Sequence, residues 1–274
     1  METGLKITQK TNKSIIKNNQ TSLGIHINEN WIVFCLYEGE EIVNINKVNF
    51  LQKKKSTFLL KTIKKYIKSF SKNNLPRNVK VIYYNKTSTL VPSDLFDSKN
   101  SLNYLKYNTT IQIDDLTAND LILDEEINNL YIPDTEINNY IFEKFKAFDF
   151  YHYSSLILDK FSKEIVYNSS KKIYLNVNDR FIDIIYFDNK KLIFYNSFDY
   201  SSNEDVLYYL LFTFSELNLD ADKIHLVVCG LIDLESKLYE LIYTYVRNVE
   251  LIDFEKVEGI DSNILKSNIL FGNF

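Results

Sequence analysis

Two stretches of the chain carry the same hydrophobic and polar pattern. Residues 24–50 read GIHINENWIVFCLYEGEEIVNINKVNF, and residues 174–200 read YLNVNDRFIDIIYFDNKKLIFYNSFDY. An offset of 150 positions sets Asn28 against Asn178, Trp31 against Phe181, Ile32 against Ile182, Phe34 against Ile184 and Asn46 against Asn196. Each stretch divides into three strand-like runs joined by short polar turns. Those turns, Asn28-Glu29-Asn30, Glu38-Gly39, Asn178-Asp179 and Asp188-Asn189, use residue types that tolerate the left-handed backbone of tight hairpins.

A helical period follows each meander. Over 56–70, Leu59, Ile63, Tyr66, Ile67 and Phe70 share one face. Over 203–217 the pattern is apolar nearly all round, and Ser202 with Asp205 forms a capping box. Such an all-round pattern predicts burial between subdomains, with a dimer interface as the alternative. Strand-like runs VKVIYYN (79–85) and IHLVVCG (224–230) come next. The order β-β-β-α-β therefore occurs twice. A helix between strands of one sheet implies a right-handed crossover and a parallel pair.

The expected architecture is α/β. It has a polar tail over 1–20 and two similar subdomains facing one another, over 21–150 and 151–274. Between the repeats, TLVPSDLFD reads as a turn into a helix and NDLILDEEINNLYIPD as a hairpin about Glu126-Ile127-Asn128. Residues 135–145 and 154–164 read as helices.

Composition limits the chemistry. The chain has 274 residues, 45% hydrophobic and 15% aromatic, enough for a substantial core. A net charge of −4 gives no global pull toward nucleic acid or anionic lipid. No apolar run reaches the ~20 residues of a membrane helix, and the first twenty residues lack a secretory apolar region. Cys35 and Cys229 lie inside apolar runs and read as buried thiols of a reducing compartment, so a cytoplasmic protein is expected. Only six glycines occur, and phosphate cradles depend on glycine for close backbone approach. His26, His152 and His225 have no paired spacing, so no metal is expected. Asp183, alternating with apolar neighbours in FIDIIYF, reads as part of a solvated strand face. Asp114-Asp115 and Asp124-Glu125-Glu126 read as solvated loops.

The doubled β-β-β-α-β order resembles the actin-like ATPase superfamily, a ribonuclease H-like fold shared by actin, the Hsp70 ATPase domain, sugar kinases and bacterial actin relatives. The phrases TLVPSDLF, YNSFDYSSNEDVLYYLLF and LVVCG are similar to an uncharacterised bacterial family with this fold, over about residues 20 to 255. The resemblance places nucleotide phosphates and Mg²⁺ at two hairpins with the pattern apolar-Asp-apolar-Gly, and adenosine at a Gly-Gly turn. Here the hairpins read Ile25-His26-Ile27-Asn28 and Leu175-Asn176-Val177-Asn178, and the turn reads Cys229-Gly230. Asn28, Asn176, Asn178 and Gly230 are the vestigial cleft candidates, and a surviving superfamily carboxylate is the alternative to the solvated-face reading of Asp183. Without the aspartates and most of the glycines, the expectation is a degenerate fold with no cofactor and no catalysis, serving as a binding or scaffold module for a protein partner. A divergent nucleotide-binding protein or phosphotransferase is the alternative.

Charge supplies a second candidate. From Ile42 to Ser93 there are twelve basic residues and no acid, while Asp94 to Phe150 holds twelve acids and four basic residues. Lys61, Lys64, Lys65, Lys68 and Lys72 fall on the polar side of the 56–70 helix. They form a solvated face or, alternatively, a docking patch for RNA or an acidic protein. Aromatics do not interleave with them, which disfavours single-stranded nucleic acid. No membrane partner is expected, and a monomer or a homodimer is.

Overall fold

A computed structural model describes residues 5–10, 21–70, 75–107, 109–112, 115–164, 171–252 and 266. The chain separates into two compact units, with the junction between Asp159 and Lys160.

In the first unit, β2 (Thr21–Asn28), β3 (Trp31–Glu38) and β4 (Glu41–Asn49) form the expected antiparallel meander. Helix α1 (Ser56–Ile67) then crosses to β5 (Asn78–Tyr83), which lies parallel to β2. The sheet is extended by β9 (Asp149–His152), parallel to β5, and by β1 (Leu5–Lys10), antiparallel to β4. Its order is β1-β4-β3-β2-β5-β9. Strand β1 lies within the stretch read as a polar tail. Its pairing with β4 uses backbone groups, which a polar composition does not hide.

Helix α1 has no side-chain N-cap. Leu59, Ile63 and Ile67, spaced by four, hold it on the sheet against Leu23, Ile25, Ile32 and Phe34. Helix α3 (Thr135–Phe145) starts where the Asp134 side chain accepts from the Ile137 amide, and it packs into the same cluster through Ile137 and Ile141. Between β5 and α3 lies a small sheet of order β6-β8-β7 with the short helix α2 (Ser101–Leu105). It comprises β6 (Ser88–Pro92), β7 (Ala118–Ile122) and β8 (Ile127–Tyr131). TLVP is therefore strand, followed by a 3₁₀ turn at Ser93–Leu95 rather than a helix. The hairpin turns earlier than expected, at Leu123, Asp124 and Glu125, all with positive φ. Helix α4 (Tyr153–Glu164) follows β9.

The second unit repeats the plan. Strands β10 (Lys172–Val177), β11 (Phe181–Asp188) and β12 (Lys191–Asp199) make a meander. Helix α5 (Asn203–Glu216) leads to β13 (His225–Gly230), parallel to β10. Helix α6 (Lys237–Tyr245) and β14 (Asn248–Leu251) complete the order β12-β11-β10-β13-β14. The duplication reaches fine detail. The register shifts at Leu36/Tyr37 in β3 and at Tyr186/Phe187 in β11, the same position in each copy. Gly39 takes φ +63° in the first meander, and Asn189 takes φ +47° at the matching place.

Helix α5 carries the predicted capping box. Only one side of it is buried, through Val206, Leu210, Thr213 and Phe214. Tyr208 and Phe212 are exposed and stack on each other at 5.9 Å, so the expected all-round burial does not occur.

Candidate functional site

The cleft candidates fall in two places. Asn28 closes the β2–β3 turn of the first unit. Its Nδ2 donates to the Tyr84 carbonyl at 2.8 Å, and its Oδ1 accepts from the backbone and side-chain nitrogens of Asn30 at 2.9 and 3.2 Å. The amide thus braces the turn itself through Oδ1 and fastens it to the exit of β5 through Nδ2. Beside it, His26 is fully buried with Nδ1 3.4 Å from the Tyr84 hydroxyl. Burial, and then the charge of Lys80, pushes its pKa down to about 3, so it is neutral.

Asn176, Asn178 and Gly230 come together in the second unit around Asp183. Strand register sets Asp183 directly opposite Asn176. Asn176 Nδ2 and Asn178 Nδ2 both donate to Asp183 Oδ2, at 3.0 and 3.1 Å, while the Tyr195 hydroxyl reaches Oδ1 at 3.4 Å. Asp183 is fully buried, which corrects the solvated-face reading. Strand β11 is flanked by β10 and β12 and is buried along almost its whole length, so alternation there does not mark a wet face.

At the end of β13, Gly230 adopts φ +92°. A Cβ there would lie 2.2 Å from the Val177 carbonyl oxygen and 2.9 Å from Asn176 Oδ1. The glycine is therefore required by the packing of β13 on β10. Cys229 Sγ donates to the same Asn176 Oδ1 at 3.6 Å.

This arrangement bears on phosphate. The two side-chain amides at the second hairpin already donate to the buried Asp183, so they are engaged within the fold where a phosphate needs donors. As placed, these residues do not fit a Mg²⁺–nucleotide phosphate, and no chemical step is derived through one. Among the described residues, no group of three or more His, Cys, Asp or Glu is placed to hold a metal ion.

Lys61, Lys64, Lys65 and Lys68 are all exposed on α1, and none is in an ion pair among the described residues. Lys64 Nζ lies 5.1 Å from the Tyr140 ring of α3, which Lys144 also approaches at 5.9 Å. Lys72 lies outside the described residues.

A polar cluster in the first unit was not anticipated. Tyr131 OH donates to Asp120 Oδ1 at 2.9 Å, and the His152 amide and Ser155 Oγ donate to Oδ2 at 2.8 and 2.5 Å. His152 Nε2 donates to the Asn85 carbonyl at 3.0 Å, leaving Nδ1 to accept from Ser154 Oγ at 2.6 Å. Burial pushes the pKa of His152 down to about 4, against the Asn85 bond. The only sequence signal was the polar pair Ser154-Ser155 beginning a helix directly after a strand.

Strand order, the doubled meander and the crossover helices together define an actin-like ATPase fold. The chain belongs to the family described as Protein of unknown function (DUF3822), whose model matches residues 10–249. A Bacteroides thetaiotaomicron protein with actin-like ATPase fold and unknown function is similar at 21% identity and TM-score 0.71, over 93% of this chain and 99% of that one. A chain of the PilM–PilN type IV pilus biogenesis complex is similar at 10% identity and TM-score 0.56, over 93% and 97%. No curated protein matches the chain. Among the described residues, no helix is long and apolar enough to cross a membrane.

Proposed function

We propose that this chain is a binding or scaffold protein that keeps the actin-like ATPase fold without its nucleotide chemistry. The observation that carries this reading is the Asn176–Asp183–Asn178 clamp. Desolvating a second anion beside a buried carboxylate is costly unless that anion brings new donors. Gly230 supports the same reading, because its freedom is used up against Val177. Similarity to a chain of the PilM–PilN complex supports a protein partner. The buried free thiols of Cys35 and Cys229 suit a reducing compartment such as the cytoplasm.

Titration calorimetry with Mg²⁺-ATP tests the reading. No heat of binding is expected at millimolar ligand. Micromolar affinity would overturn it, as would a Mg²⁺-dependent thermal shift of several degrees, since ligand at 100 times its Kd adds about 2.7 kcal/mol of stability. Affinity capture from the native host would identify the partner.

A further inference from the structure

The lysine face of α1 meets an aromatic ring that its own sequence does not supply. Lys61, Lys64, Lys65 and Lys68 are exposed, and the stripe rises about 10 Å along the helix. Helix α3 packs beside α1 in the same unit. It brings Tyr140 and Lys144 to this face. Lys64 Nζ lies over the Tyr140 ring at 5.1 Å and Lys144 Nζ at 5.9 Å, so cations from two helices converge on one ring. Like charges brought to one place repel, and no carboxylate pairs with either lysine among the described residues.

The ring carries the second observation. Tyr140 is only 8% exposed, and its hydroxyl is buried with no hydrogen-bond partner among the described residues. Buried hydroxyls are ordinarily satisfied. Phenylalanine would fill the same space without leaving a polar atom unpaired, so the hydroxyl calls for a partner that the described fold does not supply. Burial, and then the charge of Glu143, raises its pKa, so the phenol keeps its proton and serves as a donor.

We infer that α1 and α3 together bind an acidic segment of a partner protein. One carboxylate sits between Lys64 and Lys144 and accepts from the Tyr140 hydroxyl, while further carboxylates lie along Lys61, Lys65 and Lys68. Lysine stems are long and flexible, so the two over the ring part without movement of either helix. Bonds from ammonium groups to carboxylates are charge-assisted and strong for their kind. Nucleic acid fits less well. The stripe is short, Tyr140 is too buried to stack a base, and twelve acids between Asp94 and Phe150 in the same unit repel a long polyanion. The inference rests on the reading of the chain as a binding module and adds the chemistry of the partner.

Fluorescence anisotropy with a labelled hexaglutamate peptide tests it, with a labelled oligouridylate as the competing probe. Saturable peptide binding is expected at low salt, weaker at physiological salt because exposed charges are screened over about 8–10 Å. Lys64→Gln together with Lys144→Gln should weaken it about tenfold or more. Lys190→Gln, exposed in the second unit, should leave it unchanged. Tyr140→Phe should weaken it about threefold or more and leave the urea midpoint equal or higher, a combination that a merely structural hydroxyl would not give. Glu143→Gln removes the opposing charge beside the phenol and should tighten it. Absence of saturable peptide binding at millimolar concentration would overturn the proposal. So would affinity indifferent to the lysine pair or to Tyr140→Phe, or tighter binding of the oligouridylate than of the peptide. Calorimetry of the Lys64→Gln, Lys144→Gln variant with Mg²⁺-ATP keeps the two readings apart. Heat lost with the lysines belongs to this face, and heat that survives belongs to the hairpins and counts against the proposed function alone.

Discussion

Gly39 and Gly230 both have a left-handed backbone, and they differ in their surroundings. Nothing lies within 4 Å of a Cβ built on Gly39. Gly39→Ala should therefore cost only the left-handed penalty, about 1 kcal/mol. Gly230→Ala adds a clash with backbone that cannot step aside, and should cost at least ~3 kcal/mol. Urea unfolding of the two variants measures the difference, and equal midpoints would refute the close approach of β13 to β10. Sequence singled out Gly230 by its place after a strand, but the demand that fixes it comes from Val177, more than fifty residues away. Asp183 shows the same limit. Its partners Asn176 and Asn178 were singled out, yet alternation alone cannot tell a wet face from one covered by the rest of a unit. The cluster at Asp120 was less legible still, because it gathers Asn85, the β8 residues Asn129 and Tyr131, and His152 from three separate places in the chain.

Elements were more legible than side-chain roles wherever a local pattern decides them. The turns, the capping box at Ser202 and the four-residue spacing on α1 are local, and the helices and meanders follow from them. Strand β1 escaped because an edge strand is held by its backbone. Helix α5 misled because Tyr208 and Phe212 are hydrophobic by type but exposed in place. Helix α1 has an apolar face on the sheet and a lysine face in solvent. Reversing Lys61, Lys65 and Lys68 to Glu should change stability by less than ~0.5 kcal/mol each, since exposed sites without partners contribute little. Lys64→Glu should cost more, about 0.5–1 kcal/mol, through loss of the Tyr140 ring contact. Four equal effects in urea unfolding would remove that contact from the account. A folded quadruple variant that loses a captured partner would make the face a docking patch.

At the scale of the whole molecule, two internal histidines tie stability to pH. His26 and His152 titrate near 6.5 in an unfolded chain, and burial pushes them down to about 3 and about 4 in the folded one. Above pH 6.5 both are neutral in either state and add no pH dependence. Below it the unfolded chain takes up protons that the folded chain refuses, so stability falls as pH drops toward the folded values. Each histidine contributes up to about 1.4 kcal/mol per pH unit in that window. Asp120 and Glu164 work the other way. Burial raises both, so the folded chain protonates them first and gains stability as pH falls through their raised values. The net curve mixes these signs, and the informative quantity is a difference in slope. His26→Gln should shift the unfolding midpoint at every pH, by loss of packing against Tyr84. It should also flatten the decline between pH 6 and pH 5 relative to the unmodified protein, by about the one-histidine amount. Parallel curves in urea unfolding at pH 7, 6 and 5 would mean that His26 is charged in the fold, and would put a cation beside the first hairpin.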